Sequence, residues 1–348
     1  MQAVVTRSAG TMELGAVDAP PAPGPGQVLV RPEAVGICGS DYHFLTGELV
    51  TPPAFGPQFP RVQGHETAGV VEALGPACPA GLAVGQRVAV WPLSSCGRCR
   101  ACRIGRGNAC PQFRLVGIHV DGALAERVTV AAGQVFPVGD LEPAVAAFCE
   151  PMSIAVHALE RGGVGEGDTV VALGAGPIGQ AVAIGALDRG ARVLMTDVTA
   201  SRLALGAAAG VDVLDVGASG ADAVAVAREW SGGEGPGVVV DCTGLPSVIA
   251  DGVAMVAPAG RVVVVGISHH QVALPVGAFT EKEIDVVGST VCTAVDFAAA
   301  VRLVGRHREQ VRGLITREVP LAGAAAAVAH AMRNPAEVLK LVIRMEGA

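Results

Sequence analysis

Aromatic side chains are scarce: Phe, Trp and Tyr make up 3% of 348 residues, and there is a single Tyr. So few rings leave little to stack on bases, and a formal charge of −7 exerts no long-range pull on nucleic acid or an anionic membrane surface. Unbroken apolar runs are also missing. Apolar residues reach 51%, but Gly, Pro or charge interrupts each long stretch before a membrane span is complete. The opening MQAVVTRSAGTMELGAV has no basic segment followed by an apolar run, so no signal peptide is read. The expectation is a soluble, cytoplasmic protein with neither nucleic-acid nor membrane partners. Its length suggests about two domains. The 47 Gly and 23 Pro are spread along the chain, which indicates many tight turns rather than low complexity, and no solenoid-period repeat is visible.

Cysteine is present in a telling pattern. Four of the nine cysteines, Cys96, Cys99, Cys102 and Cys110, are spaced C-x2-C-x2-C-x7-C. In a reducing compartment such clusters bind metal more often than they form disulfides. Four thiolates suit a closed, tetrahedral structural zinc site. A ferredoxin-type run also begins C-x2-C-x2-C and ends in Cys-Pro, as Cys110-Pro111 does. Its last gap is three residues rather than seven, though, and no second run exists here, so zinc is favoured over a cluster. Arg98, Arg100, Arg103 and Arg106 read as a solvated loop that offsets thiolate charge. Cys78, Cys242 and Cys292 have no partners at metal spacing and are expected to be buried thiols.

Up to about residue 150, short apolar runs separated by Gly and Pro suggest a β-rich, barrel-like unit. From Gly167 apolar strands alternate with helical stretches, the pattern of a parallel sheet covered on both faces. GAGPIG places Gly174, Gly176 and Gly179 between a strand and a helix opened by Pro177 and Ile178. These glycines allow, in turn, the tight turn, backbone approach to a pyrophosphate, and close helix packing. The helix N-terminus offers free N–H groups to phosphate. Asp197 ends the next strand, where its carboxylate can accept from both ribose hydroxyls and repel a 2′-phosphate, which favours NAD over NADP. Arg202 nearby can stack on adenine or favour a phosphate. Beyond Thr290 the sequence suggests helices and a final strand, LKLVIRM. The expected division is 1–153, 154–290, and a segment 291–348 returning to the first domain.

GICGSDYH, VQGHETAGVV and CEPMSIAVH complete a set of motifs. Together with the four-cysteine loop and GAGPIG they resemble the zinc-dependent medium-chain dehydrogenase/reductase family, most nearly its sorbitol, polyol and sugar-acid branch. The resemblance covers essentially the whole chain. It implies an α/β protein with a GroES-like β-barrel catalytic domain, a doubly wound Rossmann domain, two zinc ions per subunit (one catalytic, one structural), NAD, and a homodimer or homotetramer. By the same resemblance Cys38, His65 and Glu66 bind the catalytic zinc. Glu150 stands where simple alcohol dehydrogenases have a third protein ligand, a cysteine. It either binds the metal or holds its water, and Cys149 lies beside it. Ser40 and His43 form the implied proton relay, while Asp41 is expected to cap a turn or orient a neighbour. Apart from the resemblance, Cys38 alone reads more often as a small buried hydrophobe, and His65 alone can be a satisfied core imidazole. Glu66 and Glu150 do not, because a carboxylate in an apolar stretch needs a cation or a proton.

Tyr42, Phe44, Trp91, Phe113 and His119 are candidates for the substrate pocket, with core packing an equal alternative. The adjacent His269 and His270 would face opposite ways on a strand and read as loop residues. His157 and His330 sit on helical stretches and are given no role. The expected activity is hydride transfer between NAD and a secondary alcohol of a polyol, cyclitol, sugar or sugar acid. Alternatives are a simple-alcohol or threonine-type zinc dehydrogenase, an aminocyclitol dehydrogenase of secondary metabolism, and a nucleotide-sensing protein without turnover. Cys99→Ala is expected to damage stability or assembly, and Glu66→Ala to leave a folded protein with little activity.

Overall fold

The strand Gln27–Gly36 organises the N-terminal part of the chain, because it pairs with three others. The computed structural model describes residues 1–49, 58–218, 220, 222–268 and 270–345. The chain divides into two units, Met1–Ser153 with Thr293–Ala348, and Ile154–Cys292. The second cut therefore falls after Cys292, where the sequence reading put it after residue 290. The helix Cys149–Gly162 runs through the first cut.

In the first unit a seven-stranded sheet runs in the order Val135–Pro137, Arg87–Val90, Glu66–Leu74, Gln27–Gly36, Lys340–Arg344, Ile315–Pro320, with Val128–Ala131 also paired to Gln27–Gly36. Gly36 lies opposite Glu66 on one side and opposite Val342 on the other. The start of the GHE strand and the start of the C-terminal strand are thereby brought to one end of the same central strand. The sheet encloses a core rich in valine, with Val28, Val30, Val35, Val71, Val88, Val90, Leu341 and Ile343 all buried. Branched side chains fit the pleated surface well, and each full burial is worth about 1.5–3 kcal/mol. The ladder between Gln27–Gly36 and Glu66–Leu74 is irregular around Pro32, a residue that cannot donate to it.

The second unit holds six strands, all parallel, in the order Asp212–Asp215, Arg192–Asp197, Thr169–Leu173, Val238–Asp241, Arg261–Val264, Asp285–Gly288. The inner strands TVVAL and VVVD are nearly continuous apolar runs, as burial on both faces demands. The chain builds outward on one side of Thr169–Leu173 and then returns to build on the other. This leaves a topological switch point between Thr169–Leu173 and Val238–Asp241, the hallmark of a doubly wound sheet.

Some elements differ from expectation. The helices Val276–Lys282 and Arg308–Leu314 and the strand Ile315–Pro320 had no clear signal; ITREVP is half polar because it lies at a sheet edge. Cys292 is buried, but Cys78 and Cys242 are only partly so, and the Cys78 thiol donates to Gln27 O at 3.2 Å. His269 lies outside the described residues, and His270 is in a bend. His157 and His330 are on helices. Among the described residues no helix is long and apolar enough to cross a membrane.

Gly69 sits where two backbones press together: a Cβ there would lie 2.3 Å from Arg31 O and 2.8 Å from Pro32 Cα. Gly69→Ala must push the central strand pair apart, and a stability loss of about 1–3 kcal/mol is expected. Denaturant unfolding monitored by circular dichroism checks this, and Gly133→Ala, which meets nothing within 4 Å, is the control.

Candidate active site

Three side chains from two separate places in the chain converge in the first unit. Cys38 precedes the helix Gly39–Thr46, His65 precedes the strand Glu66–Leu74, and Glu66 begins that strand. One potential ligand atom from each lies within 4.8 Å of the other two. His65 and Glu66 are buried, at 5% and 1% exposure, and Cys38 is half-buried. Gly36 makes room for Glu66, since a Cβ at residue 36 would overlap its carboxylate.

The surroundings are dense in charge. Asp41 is 1% exposed and lies with Oδ1 3.6 Å from His65 Nδ1. Its Oδ2 accepts from Cys38 N at 2.9 Å and its Oδ1 from Gln63 Nε2 at 3.1 Å, while Thr6 Oγ1 donates to Gln63 Oε1 at 2.5 Å. Burial alone would raise the Asp41 pKa, but His65 and the Cys38 N–H hold it below the ordinary value. Burial likewise opposes charge on His65, yet Asp41 and Cys38 hold its pKa well above the usual value. Asp41 thus caps the helix and also faces the imidazole, the arrangement by which a carboxylate orients a metal-binding histidine. The sequence led to the expectation that Asp41 caps a turn or orients a neighbour, without naming His65 as that neighbour.

Lys340, one of two lysines in the sequence, is 2% exposed, is ion-paired with Glu66, and donates to Ile37 O at 2.9 Å. Nothing in LKLVIRM marked it as part of the site. Glu150 is also buried, and desolvation pushes its pKa up to about 7, with His65 lowering and Glu66 raising it. It stands close enough to interact with the cluster but is not in the group of three. Ser40 Oγ is 3.4 Å from His65 Nε2, whereas the exposed His43 has its Nδ1 4.0 Å from Glu48 Oε2.

The donor set suits a zinc ion. Thiol, imidazole and carboxylate converge in a buried cluster, and several groups that can carry negative charge face one buried lysine. The four-cysteine loop is a second such group, with all four sulfurs within 4.8 Å of one another. Cys99 and Cys102 sulfurs are 3.4 Å apart and those of Cys96 and Cys102 3.9 Å, close to the ~3.8 Å edge of a tetrahedron with ~2.3 Å zinc–sulfur bonds. The N–H groups of Cys96, Cys102 and Gln112 point at Cys110 or Cys99 sulfurs, at 3.3–3.5 Å. Backbone N–H groups of Arg98 and Cys99 lower the Cys96 pKa to about 6.

Of the pocket candidates, Phe44 is wholly buried in a small apolar cluster with Leu49 and Ile118. Tyr42 packs against the main core, and burial raises its phenol pKa. Phe113 meets His119 edge-on at 5.4 Å, and Trp91 is only partly buried.

In the second unit the three glycines take distinct parts. Gly174 has φ +102°, a Cβ on Gly179 would strike Gly174 O at 1.8 Å, and a Cβ on Gly176 would meet nothing within 4 Å. The first turns the chain, the third lets the helix Pro177–Asp188 start against that turn, and the second leaves its backbone open to a ligand. Asp197 is half-exposed; its Oδ2 accepts from Ala175 N at 2.7 Å and its Oδ1 from Thr199 N at 2.8 Å. The Arg202 carbonyl accepts from Gln180 Nε2 at 2.8 Å.

A sheet unit bearing a thiol–imidazole–carboxylate cluster and a doubly wound unit with a glycine turn are the parts of a metal-dependent dehydrogenase. Residues 24–140 match the family model for the alcohol dehydrogenase GroES-like domain, and residues 177–306 that for zinc-binding dehydrogenase. The chain is 34% identical to L-galactonate-5-dehydrogenase of Escherichia coli K12, covering 93% of each protein, and 35% identical to sorbitol dehydrogenase of Arabidopsis thaliana, covering 77% of this chain and 74% of that one. Among solved structures, that of a Sinorhizobium meliloti 1021 protein bound to NADP matches with a TM-score of 0.89 and 32% identity, covering 99% of this chain and 98% of that one. The chain belongs to the zinc-binding dehydrogenase family, with the polyol and sugar-acid dehydrogenases as relatives.

Lys340 revises the expectation for Glu66→Ala. Removing the carboxylate strands a buried cation, a loss of about 3–5 kcal/mol. Glu66→Ala is now expected to unfold well below the parent protein, and Glu66→Ala with Lys340→Met to recover most of the difference in thermal melts. Cys99→Ala is expected to lose one zinc per chain by elemental analysis and to melt at least about 5 °C lower.

Proposed function

We propose that the protein is an NAD-dependent, zinc-dependent dehydrogenase that interconverts a secondary alcohol and a ketone on a polyol, cyclitol, sugar or sugar acid. It carries a catalytic zinc on Cys38, His65 and Glu66 and a structural zinc on Cys96, Cys99, Cys102 and Cys110. The observation that carries this reading is the buried convergence of Cys38, His65 and Glu66, with Glu150 beside them rather than a second thiolate. One thiolate and carboxylate oxygens make a harder, more exchangeable site than two thiolates, suited to oxygen-rich substrates. The names of the relatives, L-galactonate-5-dehydrogenase and sorbitol dehydrogenase, point the same way.

When bound, zinc supplies a Lewis acid that acidifies the substrate hydroxyl, and nicotinamide supplies the hydride acceptor. The chain's own residues do the rest. Ser40 Oγ accepts the departing hydroxyl proton, and His43, whose side chain is 47% exposed, hands it to solvent. Asp41 holds the His65 ring. Glu150, buried beside the cluster, either binds the metal or holds its water.

Asp197 supports the choice of NAD. Each of its carboxylate oxygens accepts one backbone N–H and keeps a second lone pair for a ribose hydroxyl, while its charge opposes a 2′-phosphate. The family's common assembly as a homodimer or homotetramer completes the reading.

An NADH-release screen over hexitols, inositols, aldonates and simple secondary alcohols tests the substrate class. Polyhydroxylated substrates are expected to exceed simple alcohols in kcat/KM by about tenfold or more, the equivalent of ~1.4 kcal/mol in the transition state. Turnover confined to simple alcohols would overturn it. In the same assay NAD is expected to be preferred to NADP, and Asp197→Asn to narrow the preference about tenfold.

A further inference from the structure

Asp241 ends the strand Val238–Asp241 and is 0% exposed. Its Oδ1 accepts from Thr243 N at 3.0 Å, Thr243 Oγ1 at 2.7 Å and Gly244 N at 3.2 Å; its Oδ2 accepts from the same Gly244 N at 3.1 Å. Its main-chain carbonyl accepts from Val265 N at 2.9 Å and Gly266 N at 3.1 Å. One residue therefore ties down both the turn after its own strand and the turn after the neighbouring strand Arg261–Val264. A buried carboxylate is a costly way to hold turns, because its charge must be met by well-aimed donors.

The location gives this cost a use. The turn 242–245 leaves the carboxyl end of Val238–Asp241, one side of the switch point, and the glycine turn leaves Thr169–Leu173, the other side. Ligands of doubly wound sheets bind outside the strand ends at that point. The two turns touch. A Cβ on Gly174 would lie 2.9 Å from Thr243 Cγ2, so the Thr243 methyl rests against the first glycine of the phosphate turn. On the far side, a Cβ on Gly266 would lie 2.0 Å from Gly244 N, so the third turn presses on the second. The Thr243 hydroxyl is fully engaged: it donates to Asp241 and accepts from Leu245 N at 3.1 Å. That engagement fixes the rotamer that sends the methyl to Gly174.

We infer that Asp241 is a positioning residue for the dinucleotide: by locking Thr243 and Gly244 it sets the wall opposite the phosphate turn and braces Gly174. The inference rests on the reading of this unit as the cofactor site. The experiment compares Asp241→Asn, which keeps one acceptor but turns an amide toward the Gly244 N–H, with Thr243→Val, which keeps volume but loses the hydroxyl. Thr243→Ser keeps the hydroxyl and both its bonds. Each purified holoenzyme variant is titrated with NADH by fluorescence, well below its melting temperature. The expected result is an increase in the NADH dissociation constant of about tenfold for Asp241→Asn and Thr243→Val, and a smaller one for Thr243→Ser. Zinc content and kcat at saturating cofactor should be little changed. A lower melting temperature with NADH affinity within about twofold of the parent would reduce Asp241 to a structural role and overturn the inference. If Asp241→Asn does not fold, Thr243→Val decides alone. Failure of the parent protein itself to bind NADH would instead sink the cofactor reading on which the inference stands.

Discussion

Buried negative charge around Glu66 is the constraint to which the first unit answers. Glu66, Asp41 and Glu150 are carboxyl groups at 5% exposure or less, and the Cys38 thiol adds a fourth ionisable acid. Against them stand Lys340 and His65. An arrangement like this is tolerable only if protons are taken up or a cation is supplied. The Glu150 pKa of about 7 and the raised His65 pKa are the proton-taking responses of the chain by itself. A dication at the convergence of Cys38, His65 and Glu66 would answer the same demand with fewer compromises, and would turn a destabilising cluster into a site for chemistry.

The fold serves that constraint through register. Glu66 meets Gly36 across one ladder, and the C-terminal strand, beginning at Lys340, meets the same end of the same central strand across another. The segment after Cys292 is thus part of the site, not an appendage: it delivers the one buried lysine. In the second unit the economy is one of small residues. Gly174, Gly179, Gly244 and Gly266 let three turns meet at the switch point with backbone-to-backbone contact, and Asp241 and Asp197 collect the N–H groups that such tight turns expose.

What could be read from the sequence was what is local. The GAGPIG turn, the four-cysteine spacing and the GHE dipeptide of acid and imidazole each carry their chemistry within a few residues, and family resemblance joined them. The parallel sheet was legible because its inner strands are apolar throughout. What could not be read depended on contacts made across long stretches of chain. Lys340 looks like an ordinary strand residue until Glu66 is placed beside it. Asp41 looks like a helix cap because it is one, and its second partner, His65, arrives from another element. The strand Ile315–Pro320 lacks an apolar signature because it is an edge, and the partial burial of Cys78 and Cys242 goes with positions outside the strands and helices.

Zinc-edge X-ray absorption on the purified protein tests the central claim most directly. One closed four-thiolate site and one site of mixed sulfur, nitrogen and oxygen donors give an average of about 2.5 sulfur and 1.5 lighter ligands per zinc, with both sites filled. An average near four sulfurs per zinc, meaning that the metal resides in the cysteine loop alone, would contradict the account. The buried acids around Glu66 would then have to be neutralised by protons and Lys340 without a metal.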